Sequence, residues 1–203
     1  MVLNVRRLAW LLCSLPFLWL LLGAFTVNLG ANPVETLEHE TGSWALNFLL
    51  ASLAVTPLRT LTGRHELAPL RRTLGLFGFS YAVLHFSIYL FLDRSLLWSE
   101  ILKDLTKRPY VMLGMAALLT LLVLACTSPK RVVRRLGAQR WKVIHRLAYL
   151  AAPLAVGHYL WLKWDKNLLE DPLIYAAVLT SLLGYRVVAR LRRSASRSAL
   201  DSA

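Results

Sequence analysis

Charge is scarce in this chain. Of its 203 residues, 17% are Asp, Glu, Lys or Arg, while 57% are hydrophobic. That apolar share exceeds the roughly 45–50% of soluble domains. Cysteine is scarce too. Cys13 and Cys126 lie singly in apolar runs and form no Cys-x-x-Cys pair, which excludes a dithiol redox motif and leaves them as packing residues. There is no Gly-x-Gly-x-x-Gly fingerprint, so no dinucleotide-binding module is present. No Asp or Glu falls inside a long apolar run, and no Gly/Pro-broken pair of spans repeats. Both absences weigh against ion-coupled transport.

What remains is a series of six apolar runs, at about 9–29, 43–61, 73–92, 110–126, 144–162 and 172–190. Each matches the ~20 residues a helix needs to cross a bilayer. Thr56-Pro57 is expected to end the second run near the interface. The fold class expected is an all-α integral membrane protein, a six-helix bundle. Residues 1–192 form one domain, and 193–203 a short, basic, unstructured tail. Arg6-Arg7 ahead of a long apolar run, with no clear cleavage site, reads as an uncleaved first helix.

Basic residues fix the expected orientation. If the N-terminus is cytoplasmic, eighteen of the 24 Lys and Arg lie inside, with nine of the eleven acids outside. The positive-inside rule then puts both termini in the cytoplasm. The net charge of +13 is a topology signal matched to anionic lipid headgroups. Nucleic-acid binding is discounted, because the cations are scattered over four membrane-flanking segments. Outside, residues 32–40 read as a solvated turn or short helix containing His39. Residues 93–108 read as an amphipathic helix on the interface. Trp44, Trp98, Trp141, Trp161 and Trp164 fall near span ends, as an aromatic belt does. His65, in a polar loop, reads as solvated.

Three histidines, His85, His145 and His158, fall within apolar runs, where an ionisable side chain points to function. At 1.5 Å per residue, His85 lies about 18 Å into the third span and His158 about 20 Å beyond His145 in the fifth. Both spans run inside to outside, so His85 and His158 share a level in the outer half. Two imidazoles facing across a bundle core hold a haem iron from both sides. Gly78, seven residues before His85 and on nearly the same face, reads as room for the macrocycle. His145 lies near the cytoplasmic surface, where Arg71 and Arg72 occupy the level of a missing fourth histidine. Arginine cannot ligate iron, but it pairs with propionates or a flavin phosphate. His145 reads as the ligand of a possible second haem or as part of another cofactor site. Three rival readings stay open: histidines that only hydrogen-bond between helices, a six-helix transporter with a histidine proton relay, and a structural anchor.

The segments Arg71-Arg72-Thr73-Leu74-Gly75 with His85, and Trp141-Lys142-Val143-Ile144-His145-Arg146-Leu147-Ala148-Tyr149 with His158, resemble the ferric-reductase-like transmembrane domain. Most members carry a soluble flavin and nicotinamide module, and two histidines on each of two helices. This chain lacks the module and one histidine. With Glu38-His39-Glu40-Thr41-Gly42-Ser43-Trp44 and Thr56-Pro57-Leu58-Arg59, it resembles more closely the haem-binding membrane subunits of bacterial periplasmic protein-methionine-sulfoxide reductase systems. The resemblance implies a multi-pass inner-membrane b-type cytochrome with haem b and FMN. Its donor would be the quinone pool or a cytoplasmic flavin reductase. It would pass electrons to a periplasmic molybdopterin-containing methionine sulfoxide reductase that repairs oxidised proteins. It would be an electron-transfer subunit with no substrate chemistry of its own.

Overall fold

The computed structural model describes residues 2–26, 29–164 and 166–201. These form eight α-helices and no strand: α1 Val2–Phe25, α2 Pro33–Thr62, α3 Leu70–Ile88, α4 Trp98–Lys107, α5 Pro109–Cys126, α6 Lys130–Ile144, α7 Ala148–Trp164 and α8 Glu170–Asp201. Five segments are long and apolar enough to cross a membrane: Val5–Phe25, Pro33–Thr62, His65–Asp93, Pro109–Cys126 and Glu170–Arg192. α7 is a shorter apolar helix of 17 residues, about 25 Å at 1.5 Å per residue. The protein is an integral, multi-pass membrane protein. Its outer faces carry exposed Leu11, Leu15 and Trp19 on α1, Leu119 and Val123 on α5, and Ile174 and Val187 on α8. Exposed apolar surface of that extent suits contact with lipid.

α2 is the central helix. Leu46, Leu49, Leu50 and Leu53 pack with Leu121 and Leu124 of α5, Ala151, Ala152 and Val156 of α7, and Leu179 of α8. Within lipid, close packing rather than water exclusion holds helices together, which favours small residues at contacts. Ala151 and Ala152 are fully buried. α1 is tied on through the Tyr81 hydroxyl, which donates to the Cys13 carbonyl at 3.1 Å. The most intimate helix pairs are α2 with α3 and α5 with α7. Each is an antiparallel hairpin that starts and ends at the end of the bundle carrying α4. α6 lies at the opposite end.

Three expectations change. α2 begins at Pro33 rather than near 43, because Asn32 caps it by accepting from the Glu35 N–H and Pro33 suits the first turn. The segment around His39, expected as a solvated turn or short helix, is therefore the first turns of α2. α2 also runs through Pro57 to Thr62, where Gly63 closes it at φ 67°. A proline inside a helix leaves the carbonyl four residues earlier without its N–H; here that is Leu53. The Arg186 guanidinium of α8 donates to that same carbonyl, so a tertiary bond replaces the local one. Finally, α8 extends helically through the tail to Asp201. The amphipathic segment expected within 93–108 is α4.

α3 ends in a π-helical turn, Tyr89–Asp93, a form frequent at functional sites. Ser95 and Leu96 follow at φ 48° and 58°, a left-handed reversal that carries the chain into α4. Before α7, His145–Leu147 form a 3-10 turn.

Candidate functional site

His85 projects from α3 and His158 from α7 toward each other. Their ring centroids stand 6.3 Å apart, with the planes at 77°. His85 Nδ1 is 2.9 Å from the Glu38 carbonyl of α2, and His158 Nδ1 is 2.7 Å from the Tyr110 carbonyl of α5. A carbonyl only accepts, so each Nδ1 carries the proton and each Nε2 keeps its lone pair. This is the arrangement that orients a metal-ligating imidazole and raises its basicity. Neither Nε2 has a hydrogen-bond partner among the described residues.

The two sites are built alike. In each hairpin the first helix supplies a carbonyl and, four residues on, a glycine under the imidazole. A Cβ on Gly42 would lie 3.1 Å from His85 Nδ1, and one on Gly114 would lie 2.8 Å from His158 Nδ1. Carbonyl and histidine are 47 residues apart in one hairpin and 48 in the other. No local sequence similarity announces this repeat. The spacing is its only trace, because each glycine lies on a different helix from the histidine it underlies.

Both rings line a cavity of about 440 Å³, within the range of small-molecule and cofactor sites. Its walls include Leu46, Leu49, Met115 and Leu121. A ring centre lies about 1 Å from its Nε2 and a metal–imidazole bond is about 2 Å long, so one ion ligated in line from both sides sets the centroids about 6 Å apart. The observed 6.3 Å fits that spacing. No group of three or more His, Cys, Asp or Glu able to hold a metal ion occurs among the described residues. A bare zinc ion would therefore lack ligands, whereas a porphyrin brings its own equatorial four. These residues fit an iron porphyrin.

The other expected residues lie elsewhere. Gly78 faces α2, where a Cβ would meet Leu49 N at 3.2 Å and Ala45 O at 3.3 Å; it permits close helix contact and does not line the cavity. His145 lies at the α6 end. Its ring is 4.1 Å from that of Trp141, and its Nε2 is 3.2 Å from Thr127 Oγ1. Arg71 stands beside His145 and Tyr149, while Arg72 points away and is exposed. The structure thus separates His145 and Arg71 from the histidine pair and brings no second histidine to them. His65 is exposed, as expected.

His39 departs from its expected solvation. It is half-buried on the cavity wall, with Nδ1 3.4 Å from Lys163 Nζ and Nε2 3.8 Å from Glu35. The early start of α2 carries it there. Arg94 and Arg108 also line the cavity at its α4 end; their outer-loop positions gave no sequence signal.

Residues 41–156 match the family described as ferric reductase like transmembrane component, a stretch that includes His85 and ends two residues before His158. A protein of Ralstonia nicotianae is 46% identical over 183 residues, covering 90% of this chain and 84% of its own. One of Azospira oryzae is 47% identical over 188 residues, with 93% and 80% covered. One of Rhodospirillum rubrum is 47% identical over 194 residues, with 94% and 91% covered. All three carry the name protein-methionine-sulfoxide reductase heme-binding subunit MsrQ. With a histidine pair braced in matched helix hairpins and this likeness along nearly its whole length, the chain belongs to the MsrQ family of ferric-reductase-like transmembrane proteins.

Proposed function

We propose that this protein is the b-type cytochrome subunit of a methionine sulfoxide reductase system and carries electrons across the bacterial inner membrane. The observation that supports it best is the 6.3 Å His85–His158 pair with both Nδ1 atoms tied to backbone carbonyls. Haem b, when bound, supplies a one-electron couple whose potential follows from its axial ligands and surroundings. His85 and His158 would hold the iron through their Nε2 atoms, a ligation that suits electron transfer. The Glu38 and Tyr110 carbonyls fix the imidazole tautomers, and Gly42 and Gly114 give the rings space. The apolar wall keeps bulk water from the site.

In this reading α7 is the sixth span, both termini are cytoplasmic, and the α4 end is periplasmic. Electrons enter at the α6 end, where His145, Arg71 and Tyr149 cluster, from quinol or a reduced flavin. Arg71 suits the phosphate of FMN; exposed Arg72 suits an incoming donor. They leave at the α4 end to a periplasmic molybdenum-containing methionine sulfoxide reductase. The protein itself transforms no substrate.

The test is the haem-to-protein ratio and visible spectrum of the detergent-purified chain and three variants. His85→Ala and His158→Ala are each expected to lose haem, and His145→Ala to keep it. A colourless wild-type protein would overturn the reading and favour a proton-relay transporter. Loss of haem in His145→Ala alone would overturn the ligand assignment.

A further inference from the structure

Resting on the haem reading above, we infer that the α4 end of the cavity is a carboxylate-recognition subsite in which Arg94 and Arg108 take the propionates of the porphyrin. Asp104 is the anchor. Its side chain is 5% exposed, and its two oxygens are divided between two arginines. Arg94 Nε lies 2.7 Å from Oδ2 and Arg108 Nε lies 3.2 Å from Oδ1. The Tyr89 hydroxyl donates to Oδ2 at 3.1 Å.

Both arginines line the cavity, and Asp104 does not. The carboxylate therefore stands behind them as the shared ion-pair partner of both. A guanidinium has five donors in a fixed planar fork. Paired with one buried carboxylate, the two guanidiniums keep more donors than Asp104 can take up. Arg108 spends one donor on the Tyr110 hydroxyl at 3.3 Å. Arg94 rests over the Tyr89 ring, its Cζ 5.6 Å from the centroid. Two forks fixed side by side, with donors left over, suit paired carboxylates, which arginine binds bidentately.

The placement agrees with the ligands. Arg94 follows His85 by nine residues, past the π-helical turn. Arg108 precedes by two residues the Tyr110 whose carbonyl holds His158. Each arginine thus belongs to the hairpin that carries one histidine. The acids at this end are engaged in part: Asp93 lies 3.3 Å from Arg94 Nε, and Glu35 accepts from Asn32 at 3.1 Å and neighbours His39. Glu38 also lines the cavity and interacts electrostatically with Arg94 and Asp93.

The inference is tested by reconstituting the full-length apoprotein in detergent with haem or with its dimethyl ester, which keeps the iron and ring but removes both carboxylates. Binding is followed by absorbance. Wild type is expected to prefer haem by about tenfold or more, since hydrogen bonds to charged groups are the strong ones. Arg94→Gln/Arg108→Gln is expected to bind the two compounds alike, with unchanged helix content by circular dichroism. Equal binding of both compounds by wild type, a comparison that needs no variant, would overturn the subsite while leaving the histidine ligation standing. A double variant that keeps the preference would overturn it equally. Failure of wild type to bind either compound would overturn the haem reading and this inference together.

Discussion

His85 and His158 are held by the same device: each donates from Nδ1 to a carbonyl one hairpin helix away, at 2.9 and 2.7 Å. Each ring also lies against a glycine four residues beyond that carbonyl. Nothing in the covalent sequence joins the two histidines. The bond pattern makes them equivalent, and several expectations rest on it.

Gly114→Ala is expected to disturb the site more than Gly42→Ala. The new Cβ would lie 2.8 Å from His158 Nδ1 but 3.1 Å from His85 Nδ1. In the first case the ring has to move and its bond to Tyr110 lengthens. Loss of such a supporting bond costs about 10–100-fold in metal affinity. Haem titration of the two purified variants checks both the loss and its order.

Arg186 and Pro57 should behave as a coupled pair. Arg186→Leu leaves the Leu53 carbonyl unpaired, because Pro57 has no N–H to give it. The expected loss is about 1.5–3 kcal/mol, as for a hydrogen bond to a charged group. Pro57→Ala restores the local bond, so Arg186→Leu should cost less in that background. A double-mutant cycle by thermal unfolding in detergent reads the coupling, and strictly additive losses would contradict it.

Asp104→Asn is expected to lower stability by about 3–5 kcal/mol, the cost of breaking a buried ion pair from one side. It leaves two guanidiniums around a neutral amide. The same substitution should blunt the preference for haem over its dimethyl ester without abolishing binding. Unfolding and reconstitution on one preparation separate these effects.

Gly78→Ala should leave bound haem spectroscopically unchanged while loosening α2 from α3. Its Cβ would press on Leu49 N and Ala45 O, backbone atoms that cannot swing aside. Lower thermal stability with an unaltered absorption spectrum is the expected result. A shifted Soret band would place Gly78 in the site after all.

Much of the protein was legible in its sequence. Hydropathy placed α3, α5 and α7 to within four residues, since a bilayer sets a length that composition alone satisfies, but α2 starts ten residues before its run and α8 continues eleven beyond it. Depth counting paired His85 with His158, because rise per residue in a helix is constant. The solvated reading of His39 and the helix end expected at Pro57 did not hold. One was hidden by a helix cap that extends α2, and the other by a helix end that never comes, because α8 supplies the missing donor. Gly78 was assigned to the cavity on periodicity alone, but periodicity gives a face without saying which neighbour fills it.

The sequence by itself determined an apolar, multi-helix chain with two imidazoles at one level. Local rules of length, charge and helical rise suffice for that. Only the tertiary structure decided that Gly42 and Gly114 sit under those rings, and that the Glu38 and Tyr110 carbonyls set their tautomers. It likewise gathered Arg94 and Arg108 around Asp104. These are contacts between helices distant in the chain, fixed by how backbones pack in lipid, and no local pattern encodes them.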